Sequence, residues 1–79
     1  MSEREYAYTV LLDPDPDSGT YTVTVPALPG IVTQGSSVDD AIVQAREAIQ
    51  VHIKGLLADG QPIPEERERP QVVTIRVAA

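Results

Sequence analysis

One stretch of the chain carries helical periodicity, and it constrains everything else. Val38, Ile42, Ala45, Ile49, Ile53 and Leu56 recur at three- and four-residue steps, which sets them along one apolar stripe. A lone helix cannot bury its own stripe, so a second layer has to cover it. The other apolar residues follow a different period. Residues 21–25 alternate strictly, with Tyr21, Val23 and Val25 on one face and Thr22 and Thr24 on the other. That is the pattern of a half-buried strand.

Three further segments read as strands. Residues 6–12 are rich in β-formers and stop at the turn cluster Asp13-Pro14-Asp15-Pro16-Asp17-Ser18-Gly19. The loop is short enough to make an antiparallel hairpin with residues 21–25. Pro26 and Pro29 end the second strand because proline cannot donate to a ladder, and residues 31–34 resume as a third. Either Ser36 or Ser37 can cap the helix, with Asp39 or Asp40 placed as in a capping box. The helix is expected to run to about Ala58 and to end at Asp59-Gly60. A polar, proline-rich connector over 61–70 leads to residues 72–77, which alternate again and predict a fourth strand with Val73, Ile75 and Val77 inward.

The expected fold is therefore α+β: a two-layer sandwich of order β-β-β-α-β, with a mixed four-stranded sheet and the helix on one face. If the last strand pairs parallel with the first, its crossover is right-handed. Residues 1–79 form a single domain whose core is drawn from Tyr21, Val23, Val25, Ile42, Ile49, Ile53 and Ile75. The chain has 79 residues, no cysteine, no Phe and no Trp. A core this poor in large side chains, without disulfides, makes self-association the natural supplement. The expected state is a dimer or an assembly of dimers, with the last strand as the pairing edge through Val72, Thr74 and Arg76, since unpaired edges template further strands.

Twelve acidic residues against six basic ones give a net charge of −6, and such a field repels a phosphate backbone. No direct nucleic-acid contact is expected. No apolar run is long enough for a membrane span or a secretory signal, so a cytoplasmic protein with no membrane partner is expected. Catalytic chemistry finds few candidates. His52 is the sole histidine and sits at the margin of the helical stripe, where packing is the commoner role of an imidazole. Asp13, Asp15 and Asp17 alternate like the start of a calcium loop, but Ser18 stands where that loop needs Gly and Thr24 where it needs Glu. No catalytic, metal or cofactor site is therefore assigned, and no cofactor is expected. A residual metal-dependent nuclease built on those three aspartates and His52 is the enzymatic alternative. Val43 and Val51 lie two turns apart on the outward helix face beside Glu47, which makes Val43, Glu47 and Val51 candidates for partner contact. Glu65, Glu66, Arg67, Glu68 and Arg69 read as a solvated mixed-charge run.

The string Tyr21-Thr-Val-Thr-Val-Pro-Ala-Leu-Pro-Gly30, then Thr33-Gln-Gly35, Asp40-Ala41 and Gly60-Gln-Pro-Ile-Pro64, resembles the HicB-like antitoxin family. Ile31 and Ala27 depart from the family pattern, which usually has Cys after Pro-Gly and an acidic residue before Leu-Pro-Gly. The resemblance implies a partial ribonuclease-H-like fold without a working catalytic site, here as a stand-alone core lacking a C-terminal DNA-binding domain. It also implies a partner, a small basic HicA-like toxin that cleaves mRNA. An oligomeric scaffold or ligand-binding module with no toxin partner is the alternative.

Overall fold

The computed structural model describes residues 5–79. Three strands come first, β1 (Leu11–Pro14), β2 (Tyr21–Thr24) and β3 (Val32–Gly35), followed by the helix α1 (Val38–Ala58). The strands form one sheet in the order β1-β2-β3, antiparallel throughout. Leu12, Val23 and Thr33 stand opposite one another across the sheet, and α1 lies on their side, packed mainly against β3 and β2. The opposite face carries Leu11, Thr22, Thr24, Val32 and Gln34, and nothing among the described elements covers it.

Each boundary has a local cause. Gly19, at φ 71°, closes the first hairpin, where the Asp15 N–H donates to the Thr20 carbonyl at 2.8 Å. After β2 the chain turns through Pro26-Ala-Leu-Pro-Gly30, and the Leu28 and Ile31 amides donate back to the carbonyls of Val25 and Leu28. Leu28 is fully buried, so this turn plugs one end of the sandwich. Ser37 caps α1, its hydroxyl accepting from the Asp40 N–H at 3.0 Å. Asp40 answers by accepting from the Ser36 N–H at 2.8 Å, one residue earlier than a capping box requires. At the other end the Gln61 amide reaches the Leu56 carbonyl and the Gly60 amide that of Leu57, a Schellman closure.

The core consists of two adjoining clusters. Val23, Ala41 and Ala45 form one, with Val10, Leu12 and Tyr21 packed around them. Val25, Leu28 and Ile31 form the other, flanked by Tyr8, Val10, Ala48 and Ile49. The centre of the helical stripe is therefore alanine. Gly35 explains this, since a Cβ there would run into the backbone of Ala41 and come within 2.7 Å of its methyl group. Helix and strand meet backbone to backbone, which leaves no room for a larger residue. Ile42, expected in the core, is 46% exposed, while Tyr21, Ile49 and Ile53 are half-buried around its edge.

The expected fourth strand is not formed. Residues 71–79 are exposed throughout and pair with no other strand, so among the described residues the sheet is three-stranded and antiparallel rather than mixed and four-stranded. Val73, Ile75 and Val77, expected inward, are 69–83% exposed. Alternating β-branched residues specify an extended backbone but cannot say which edge it joins. β1 is also displaced, starting at Leu11 instead of Tyr6 and extending to Pro14. Continuing its register would set Thr9 opposite Pro26, which has no N–H to give. β3 begins one residue later than expected, at Val32.

Candidate functional site

Because α1 sits toward β2 and β3, it leaves an open groove on the β1 side. Tyr6, Tyr8 and Val10 form one wall, ahead of β1, and Ile42, Ala45, Arg46, Ile49, Gln50, Ile53 and Leu57 of α1 form the other, with Ile63 at one end. The groove is ≈ 900 Å³ and mostly apolar. Its first wall is stiffened by parallel stacking of the Tyr6 and Tyr8 rings, whose centroids are 6.4 Å apart. The Tyr8 hydroxyl donates to the Pro64 carbonyl at 2.6 Å. Burial, helped by the neighbouring Tyr6 and Glu66, raises the Tyr8 pKa above its ordinary value.

The connector is fastened to this wall. Glu66 accepts from the Thr9 N–H and from the Thr9 hydroxyl, both at 2.9 Å. Its side chain is 3% exposed and lies 3.7 Å from the Arg69 guanidinium. The expectation of a solvated charge run therefore fails at Glu66, which replaces a missing ladder partner for Thr9. The one signal in the sequence was a carboxylate placed to reach an edge amide that faces proline, and it emerges only once the strand register is known.

The other candidates are spread over the surface. Val43, Glu47 and Val51 are all exposed on the outward side of α1, Val43 by 50% and Val51 by 71%. Val72, Thr74 and Arg76 lie on the exposed C-terminal segment. His52 is half-buried on α1. Asp13, Asp15 and Asp17 occupy the exposed end of the first hairpin, where Asp15 accepts from the Asp17 N–H at 2.9 Å and its pKa is lowered chiefly by that bond. Among the described residues no three His, Cys, Asp or Glu side chains are placed to hold a metal ion. Chemically, the surface offers an apolar groove, an unpaired apolar segment and an outward helix face with a carboxylate, all features suited to protein contact.

Residues 8–74 match the family described as HicB_like antitoxin of bacterial toxin-antitoxin system. The chain belongs to the HicB-like antitoxin family. The matched span takes in the sheet, α1, the connector and the start of the exposed tail. Among similar proteins, the UPF0150 protein Ta0767 of Thermoplasma acidophilum is 40% identical over 68 residues, 86% of this chain and 94% of its own. The UPF0150 protein ssr1765 of Synechocystis is 43% identical over 61 residues, covering 77% and 76% of the two chains. An uncharacterized 14.9 kDa protein of Haemophilus phage HP1 is 36% identical over 53 residues, 67% of this chain and 40% of the phage protein. No solved structure matches. Among the described residues of this HicB-like chain, no helix is long and apolar enough to cross a membrane.

Proposed function

We propose that this HicB-like protein is a cytoplasmic antitoxin that binds and neutralises a small, basic, mRNA-cleaving toxin of the HicA kind. The observation that carries the reading is the family match over residues 8–74. The net charge of −6 fits it, because an acidic surface speeds encounter with a basic partner and disfavours nucleic acid. On this reading the chain performs no reaction of its own and needs no cofactor. It holds its partner in an inactive state, and it does so as a homo-oligomer.

Contact is assigned to the outward face of α1, where Val43 and Val51 offer apolar surface on either side of Glu47. Calorimetric titration against the product of the adjacent reading frame tests the reading, with rescue of growth on co-expression as the cellular assay. Binding is expected to slow and weaken as salt rises to physiological strength. The double substitution Glu47→Lys with Val51→Asp is expected to weaken binding by about tenfold or more, as loss of a central contact does, with an unchanged melting temperature. Absence of both binding and rescue would leave an oligomeric scaffold or ligand-binding module as the better description.

A further inference from the structure

The apolar groove and the exposed tail are complementary, and they lie on the same chain. The groove lies between α1 and the segment that leads into β1, the edge strand of the sheet, and its helix wall runs from Ile42 to Leu57. At a rise of 1.5 Å per residue that wall is about 22 Å long. Residues 72–77, extended at about 3.3 Å per residue, span about 17 Å and fit within it. Their alternation gives Val73, Ile75 and Val77 for an apolar wall, with Val72, Thr74 and Arg76 on the other side. Isolated in water, such a segment is an open invitation to strand pairing.

We infer that residues 72–77 of one copy fill the groove of a second copy, and that the exchange is reciprocal. The connector favours this over closure within one chain. It is fastened beside β1 by Tyr8 to Pro64 and by Thr9 to Glu66, and residues 65–70 continue past Pro26 and Ala27. From there residues 71–79 run on exposed and outside any regular element, in a chain whose full extents, tail included, are 55 × 27 × 21 Å. Pro62, Pro64 and Pro70 stiffen this path, and Pro70 also holds Arg69 away from helical geometry. The tail stands exposed outside the groove of its own chain, so filling the groove from a second copy leaves the connector and its bonds in place. Each copy then offers one strand and one groove, so a two-fold pair satisfies both. The inference does not depend on the identity of any toxin.

The absence of native cysteine allows a direct test. Variants carrying only Ile75→Cys, or only Ile42→Cys or Leu57→Cys, are mixed, one partner isotope-labelled, and oxidised at micromolar concentration. Covalent pairs containing one chain of each kind are expected, together with a dimer mass or a multiple of it by light scattering for the parent protein. Val73→Asp with Ile75→Asp alters side chains exposed in the single chain, so it is expected to keep the circular dichroism spectrum and give a monomer. A chain bearing both cysteines that closes on itself at monomer mass would overturn the inference. So would a parent protein that is monomeric at all concentrations, or an oligomer untouched by the double aspartate substitution, which would place the interface on another face such as Val43.

Discussion

Replacing Gly35 with alanine is the most direct probe of how the helix is held on the sheet. The added methyl would press on the amide nitrogen and Cα of Ala41, and would lie 2.7 Å from its Cβ. Both parties are backbone or bound to it, so no side chain can swing aside. Ala41 lies in the first turn of α1, whose start is fixed by the Ser37 and Asp40 hydrogen bonds, so relief requires the helix to rise as a body. That movement would loosen the cluster of Val23, Ala41 and Ala45. Overpacking a tight core costs about 1–3 kcal/mol, and a clash with backbone belongs at the upper end. At about 4–8 °C per kcal/mol for a domain of this size, Gly35→Ala should lower the melting temperature by roughly 12–24 °C. Gly55→Ala is the internal control, because its added methyl meets nothing within 4 Å and a helix-interior alanine gains about 0.5–1 kcal/mol. Thermal melts followed by circular dichroism read both. If Gly35→Ala melts within about 2 °C of the parent, a shift worth under 1 kcal/mol, while Gly55→Ala melts higher, the backbone-contact argument is wrong.

Two further outcomes are expected. The Asp40 carboxyl sits below the ordinary carboxylate range, chiefly because the Ser36 N–H donates to it, with Gln44 and the Ser36 hydroxyl contributing. Its stabilising effect is present above the unfolded value of about 3.9 and is lost as pH falls through the lower folded value, so Asp40→Asn should flatten the acid-side fall in melting temperature. Parallel acid-side slopes for the two proteins would contradict this. Glu66→Ala removes a charged acceptor from two Thr9 donors and should cost about 1.5–3 kcal/mol, with faster hydrogen exchange at the Thr9 amide. Unchanged protection of that amide would mean that the connector is held by other contacts.

The sequence was legible where local rules and tertiary structure agree. Strict alternation placed β2 nearly to the residue, and the Ser-Ser-x-Asp-Asp start and Asp59-Gly60 end bracketed α1. It was illegible where distance between backbones decided the outcome. The large isoleucines outweighed Ala41 and Ala45 in any hydrophobic count, yet the close approach at Gly35 gives the centre to the small residues. Leu28 read as part of a turn because prolines surround it, although an apolar residue in such a turn has only the interior to enter. Residues 72–77 displayed the right periodicity without naming a partner. Glu66 was lost in a charge run because its role depends on Thr9, 57 residues away.

The two turns of the meander differ in a way that matters for anyone building on this scaffold. The 26–30 turn is a stopper, with Leu28 fully buried beneath it, and lengthening it would uncork the sandwich. The Asp15 to Thr20 loop closes on itself through its own amides and side chains and sends nothing inward. An epitope, a fluorophore or a short second binding sequence can be grafted there at little thermodynamic penalty, since a longer exposed loop adds only about 0.6 kcal/mol per doubling. The loop also extends from β1 and β2 rather than from α1 or the tail. A reporter at Asp17 would thus sit on the sheet's hairpin end while leaving the outward helix face and residues 72–77 unaltered.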